Sequence, residues 1–237
     1  MPVVVGIDGS QTALDAATWA VDEAASRGVP LRLVHVCGEK QVCHQSALRR
    51  AEMTIEGMGR QVRVETVIVH GRAGCVLVAE SRRAVMVCVG SRGRGPCARM
   101  PLGPTAVALA RYAHCPVAVV RAGAARGSNT GWIAAIQNDE ADNDAVVYRA
   151  MEEARLRRAP VLLIDMRIDS WVRRYPDVYV TTVTGCHRRI QRQEIPSDSI
   201  QLAVVGSTEA ESVARLVWPD YHPVLSDANR SMLLVRH

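Results

Sequence analysis

Residues 3–10 read Val-Val-Val-Gly-Ile-Asp-Gly-Ser, and this stretch decides the fold. The first five residues are apolar without polar alternation, which is typical of a strand buried on both faces of a parallel sheet. The Asp-Gly-Ser that follows breaks the strand. Ser10 has the side chain of a helix N-cap, and alanines recur behind it at helical spacing until Gly28 and Pro30 end the helix. The sequence therefore begins with a predicted β-turn-α unit.

The same alternation continues to about residue 120. Further strands are predicted at 31–36, 62–69, 85–89 and 116–120, and helices at 46–57, 74–83 and 105–113. Strands that alternate with helices run parallel and are joined by right-handed crossovers. We therefore expect an α/β domain, doubly wound, with a mostly parallel five-stranded sheet.

The pattern starts again after residues 122–131, which are rich in small residues and lack apolar periodicity, as linkers do. Four landmarks of the second part match the first part in order and spacing: 132–136 matches 3–7, 148–154 matches 19–24, 202–207 matches 86–91, and 232–236 matches 117–121. The sequence predicts two tandem domains of one fold, at 1–121 and 132–237, with a linker at 122–131. Their last apolar strands are expected to contact each other in an intramolecular pseudo-dimer, because an unpaired apolar edge is a liability. A homodimer of the whole chain stays open.

Composition and charge exclude several classes of protein. Of 237 residues, 48% are hydrophobic and 22% charged, which indicates a globular chain. No apolar run is long enough to span a membrane. The seven cysteines form no Cys-x-x-Cys pair, and several lie in apolar runs, so we expect buried free thiols and a cytoplasmic location. The net charge of +5 reflects 29 Lys and Arg against 24 Asp and Glu. The arginines lie in scattered pairs without interleaved aromatics, which argues against nucleic-acid binding.

The strongest chemical signal is a glycine-rich loop after the fourth predicted strand. It reads Gly90-Ser91-Arg92-Gly93, and Gly103 follows at the start of a helix. Glycines let the backbone approach a ligand closely, and free N–H groups at a helix N-terminus bind anions such as phosphate. Arg92 and Arg94 add positive charge. Since Asp8 follows another strand at the same edge of the sheet, a ligand site is expected there.

These residues resemble the universal stress protein family. The similarity lies in Val-Gly-Ile-Asp-Gly-Ser at 5–10, in the strand at 31–36, in the Gly-x2-Gly-x9-Gly spacing of the loop, and in His-Cys-Pro-Val at 114–117. It is close over the first 121 residues and loose over the rest. The resemblance implies the adenine nucleotide alpha hydrolase-like fold and a tandem member of the family.

The resemblance also implies an adenine-nucleotide site in the first domain, with ATP and Mg²⁺ as the ligand. By position, Asp8 and the backbone near Val36 would hold the adenosine side, with Gly6 packed beneath it, and the loop glycines would surround the ribose and phosphates. No catalytic residue and no metal ligand is implied. The implied binding residues are Gly6, Asp8, Val36, Gly90, Ser91, Arg92, Gly93, Arg94, Gly95, Gly103, Pro104 and Thr105.

Two departures from the family pattern bear on this site. Nucleotide-binding members carry Ser or Thr after the last glycine, whereas this chain has Pro104, which offers neither a hydroxyl nor an N–H. Thr105 follows it. In the second domain Asp8 is matched to Gln137, Gly93 to Glu209, Gly103 to Trp218 and Pro104 to Pro219. A carboxylate and an indole would repel and obstruct phosphates, so the second domain is expected not to bind nucleotide.

Three functions follow from these observations. The first is a stress-response regulatory module with an ATP site in its first domain. The second is an interaction scaffold of the same fold that binds no nucleotide. The third is weak nucleotide hydrolysis, which lacks a general base or nucleophile other than Asp8 beside the loop, so that the sequence favours a binding module over an enzyme.

Overall fold

The computed structural model describes residues 1–38, 45–93, 102–123, 131–136, 143–164, 173–183, 200–206 and 231–236. In the first half of the chain the elements are β1 (Val3–Gly6), α1 (Gln11–Arg27), β2 (Leu31–Cys37), α2 (Ser46–Glu56), β3 (Val64–His70), α3 (Ala73–Ser81), β4 (Met86–Gly90), α4 (Pro104–Tyr112) and β5 (Val117–Val120). In the second half they are β6 (Trp132–Ile136), α5 (Asn143–Arg157), β7 (Val161–Ile164), β8 (Val180–Val183), β9 (Ile200–Val205) and β10 (Ser231–Leu234).

All ten strands form one sheet in the order β3-β2-β1-β4-β5-β10-β9-β6-β7-β8. Neighbouring strands are parallel within each half, and the halves meet where β10 pairs antiparallel with β5. The second half therefore repeats the strand order of the first in reverse across the sheet. The predicted α/β class with mostly parallel sheets is confirmed, as is the contact between the two final strands.

The repeat is visible in single hydrogen bonds. The N–H of Val3 donates to the carbonyl of Pro30, and the N–H of Ile133 donates to the carbonyl of Pro160, both at 2.9 Å. These pairs are equivalent, so Val3 corresponds to Ile133. Residues 137, 209, 218 and 219 lie outside the described part of the chain.

Apolar side chains cover the sheet on both faces because each parallel strand is a run of apolar residues. On one face α1, α2 and α5 pack on side chains such as Val5, Leu33 and Leu163. On the other face α3 and α4 pack on side chains such as Val87 and Val119. The first face forms a core that continues from one half into the other, which joins them in one apolar layer.

The helix signals in the sequence act as expected at both ends of α1. Ser10 accepts a hydrogen bond from the N–H of Ala13 at 3.2 Å, and Gly28 ends the helix in the left-handed region with φ 61°. Within the described residues, no helix has both the length and the apolar character that a membrane crossing would require.

The cysteines correct one expectation. Cys88 and Cys115 are buried free thiols, as predicted, and burial raises the pKa of Cys88 and that of Cys115, the latter to about 11. Cys75 is free but exposed, and Cys37 is disulfide-bonded. The sequence could not predict this bond, because a disulfide depends on two cysteines approaching in space rather than on their local pattern.

Candidate functional site

A cavity of about 270 Å³ lies at the carboxyl ends of β1 and β4. These strands are neighbours in the sheet, and from β1 the chain goes outward to β2 on one side and later to β4 on the other. Open parallel sheets bind ligands where the strand order reverses in this way. The cavity is lined by Gly6, Ile7, Asp8, Ser10, Ala13, Val34, Val36, Ala73, Leu77, Val89, Gly90, Arg92, Gly93, Gly103, Pro104, Thr105 and Ala106.

Asp8 places a carboxylate at the mouth of this cavity. It follows β1 directly, and one of its oxygens accepts a hydrogen bond from the N–H of Ser10 at 2.9 Å, which fixes the turn into α1. Its other oxygen lies against Gly93, where an added Cβ would come within 2.6 Å of it. A side chain at Gly93 would therefore fill the space beside this carboxylate. Asp8 itself is exposed and can accept hydrogen bonds from a ligand's hydroxyl or amine.

The loop after β4 is held by α1. The hydroxyl of Thr12 donates a hydrogen bond to the carbonyl of Arg92. An added Cβ at Gly90 would lie 2.6 Å from the Thr12 hydroxyl and 2.7 Å from its backbone carbon. Glycine is thus required at position 90 because α1 approaches the loop closely there, and the N-terminus of α1 sets the position of Arg92 and Gly93.

Backbone hydrogen bonds connect the loop to α4. The N–H of Ser91 donates to the carbonyl of Val120 at 2.7 Å, and the N–H of Gly103 donates to the carbonyl of Ser91 at 2.8 Å. Ser91 is buried and lies outside the cavity lining. These two N–H groups are consequently occupied by protein acceptors, and the role of Ser91 is to hold Gly103 in place.

The N-terminus of α4 faces the cavity. The helix begins at Pro104 after the cap residue Gly103, and its first intrahelical hydrogen bond runs from the N–H of Val107 to the carbonyl of Gly103. The N–H groups of Thr105 and Ala106 belong to the first turn, where a helix offers no acceptor of its own. Since both residues line the cavity, this turn can bind an anion.

The opposite wall of the cavity is apolar. Ile7, Val34, Val36 and Leu77 supply aliphatic side chains suited to a flat ring. An added Cβ at Gly6 would lie 2.7 Å from a methyl group of Leu77. The absence of a side chain at Gly6 therefore accommodates Leu77 of α3, which in turn forms the wall.

The cavity lining carries charges of both signs. Asp8 and Arg92 are the charged side chains among the lining residues that the structure describes. Arg121 lies buried at the end of β5, where burial and then the charge of Arg92 lower its pKa to about 10. Arg121 remains a cation at neutral pH, so the ends of β4 and β5 attract anions whereas the end of β1 carries the carboxylate.

Comparison with known proteins identifies the family. The profile of the universal stress protein family matches residues 1–121. The chain belongs to the universal stress protein family. The universal stress protein Rv2624c of Mycobacterium tuberculosis is 43% identical, and the match covers 99% of this chain and 96% of that protein.

A solved universal stress protein shares the fold over the whole chain. The crystal structure of one from Archaeoglobus fulgidus matches 100% of this chain and 96% of its own, with 12% identity and a TM-score of 0.70. A universal stress protein solved in complex with cAMP matches 51% of this chain and 95% of its own, with 28% identity and a TM-score of 0.42. The first match extends the family's adenine nucleotide alpha hydrolase-like fold over both halves.

In this universal stress protein, most of the residues implied by the sequence line the cavity. They are Gly6, Asp8, Val36, Gly90, Arg92, Gly93, Gly103, Pro104 and Thr105. Ser91 is buried and does not line the cavity. Residues 94 and 95 fall outside the described part of the chain, so that the positions of Arg94 and Gly95 stay predictions.

Several lining residues were not found from the sequence. The sequence predicts Ser10 only as a helix cap, and Ala73 and Leu77 come from α3, which no motif connects with the loop. The tertiary packing of α3 on the sheet brings them to the site. Among the described residues, no three His, Cys, Asp or Glu side chains form a group able to hold a metal ion.

Proposed function

We propose that the first half of this universal stress protein binds an adenine nucleotide in the cavity and acts as a stress-response regulatory module. One observation carries the proposal: Asp8, the glycines of the loop and the first turn of α4 line a single cavity at the point where the strand order reverses. Each feature alone is common in α/β proteins. Together they give one ligand a hydrogen-bond acceptor, a backbone that it can approach closely, and an anion site.

The lining suggests how the nucleotide would lie. The aliphatic wall with Val36 would pack on the adenine ring, and the Asp8 carboxylate would accept hydrogen bonds from the adenosine part. Gly93 and Gly103 would allow the phosphate chain to approach the backbone, with the N–H groups of Thr105 and Ala106 and the Arg92 guanidinium nearby. Mg²⁺ would arrive bound to the phosphates of ATP and would neutralise part of their negative charge.

The alternative is a scaffold of the same fold that binds no nucleotide. It is favoured by Pro104, which removes one donor from the helix turn that faces the cavity. Hydrolysis is the weakest of the three functions, because Asp8 is the one carboxylate in the described lining and no second group there could activate water.

Calorimetric titration with AMP, ADP and ATP, with and without Mg²⁺, tests the proposal. Gly93→Glu would place bulk and negative charge against Asp8 and the phosphate path, so we expect it to abolish binding. Met53→Glu adds the same carboxylate to an exposed position of α2, which does not line the cavity, and should bind as the parent does. A parent that binds none of these nucleotides would contradict the proposal and support the scaffold.

A further inference from the structure

The two halves meet through equivalent glutamates. The register that relates Val3 to Ile133 also relates Glu23 of α1 to Glu153 of α5. Both helices lie on the same face of the sheet, on either side of the β5–β10 pair. The repeat therefore brings the same carboxyl group of each half to the junction.

Both glutamates are buried and share one arginine. Their exposed fractions are 0% for Glu23 and 1% for Glu153. The Arg157 guanidinium lies 2.8 Å from an oxygen of Glu23 and 2.9 Å from an oxygen of Glu153, and it stacks on the ring of Trp19 at 4.4 Å. One cation of the second half thus bridges carboxyl groups of both halves.

Other charged groups surround this pair. Arg27 of α1 lies 3.0 Å from the second oxygen of Glu23. Arg149 of α5 lies nearby, and its pKa is lowered chiefly by burial and then by the charge of Arg27. Beneath the pair, β4 contributes the buried thiol of Cys88, whose protonated form is favoured by burial and by both glutamates. The strands under α5, which are β6, β7 and β9, carry no titratable side chain.

Two carboxylates that are excluded from water and lie near each other repel strongly, so that one of them tends to keep its proton. Burial is the main cause that raises the pKa of Glu153, to about 8, followed by the charge of Glu23, while Arg157 acts in the opposite direction. The burial of Glu153 and its closeness to Glu23 therefore favour the protonated form of Glu153.

We propose that Glu153 keeps a proton beside Glu23 at neutral pH, and that losing this proton at higher pH weakens the contact between α1 and α5. A carboxyl group whose pKa is raised by folding stabilises the folded state fully below its ordinary pKa. That contribution is lost as the pH rises from about 4.5 towards about 8. The junction between the halves is thus a pH-sensitive contact that is strongest in mildly acidic solution.

Carbon-13 NMR of the protein labelled at the glutamate carboxyl carbons tests the proton directly. A buried carboxyl signal should titrate near or above neutral pH in the parent, and Glu23→Gln should identify the remaining signal as that of Glu153. The proposal is overturned if every glutamate signal of the parent titrates below about pH 6. The measurement on the parent requires no variant to fold.

Thermal unfolding at pH 6 and pH 9 tests the effect on the junction. Glu153→Gln replaces the carboxyl group by an amide of nearly the same shape that stays neutral at both pH values. Its Tm should fall less between the two pH values than that of the parent. Glu152→Gln, on the same helix but only half-buried, is the matched control, and its Tm should fall as much as that of the parent. Equal pH dependence in the parent and in Glu153→Gln would overturn the proposal.

Discussion

The glycines of the loop illustrate how one residue type serves different purposes within a single motif. At Gly90 an added Cβ would strike Thr12, and at Gly93 it would strike the Asp8 carboxylate, at 2.6 Å in each case. At Gly103 the nearest atoms would be 3.6 Å away, which is ordinary contact. The first glycine is therefore needed for packing, whereas a side chain at the last would lie in ordinary contact with the loop backbone.

The residue after Gly103 gives a prediction at this scale. Pro104→Ser supplies an N–H and a hydroxyl at the first position of α4, beside Thr105. If the phosphates lie there, ATP binding should tighten by about 1.5–3 kcal/mol, the range for a hydrogen bond to a charged acceptor. Calorimetric titration measures the change, and Pro104→Ala, which restores the N–H alone, separates the two donors. Unchanged affinity in both variants would show that the proline does not limit binding.

At the scale of elements, the two equivalent helices end in the same way with different residues. Gly28 ends α1 with φ 61°, and Arg158 ends α5 with φ 51°. The left-handed conformation costs a residue with a side chain about 1–2 kcal/mol, whereas glycine adopts it freely but loses more entropy on folding. The cap of α5 is therefore strained where that of α1 is relaxed.

Exchanging these residues tests the strain. Arg158→Gly should stabilise the protein by about 0.5–1 kcal/mol, since relief of the strain exceeds the added entropy cost. Gly28→Arg should destabilise it, and both changes can be measured by urea unfolding. A destabilising Arg158→Gly would mean that the Arg158 side chain contributes contacts that outweigh its backbone strain.

Elements of this kind were predictable from the sequence because their signals are local. Runs of apolar residues predicted the strands, and Ser10 and Gly28 predicted the ends of α1. Contacts between elements carry no such signal. Neither the approach of Thr12 to the loop nor the meeting of Glu23 with Arg157 follows from any spacing, because each depends on how helices far apart in sequence pack on the sheet.

At the scale of the whole molecule, the β5–β10 pair makes the two halves share a sheet and a core. Leu233 is fully buried in β10 and lies opposite Ala118 of β5. We expect a single unfolding transition with equal calorimetric and van't Hoff enthalpies. Leu233→Ala should lower the stability by about 2–5 kcal/mol, as for other buried leucines, and move that one transition. Two separate transitions, of which only one moves, would show that the halves fold independently.

The nucleotide site distinguishes the halves in spite of their shared architecture. The cavity described above belongs to the first half, and the second half carries Glu209 and Trp218 at the positions matched to Gly93 and Gly103. Native mass spectrometry of the 25.8 kDa chain with excess ATP measures the stoichiometry directly. The account predicts one nucleotide per chain in the parent and none in Gly93→Glu. An unliganded parent, or a parent that binds two nucleotides, would contradict it.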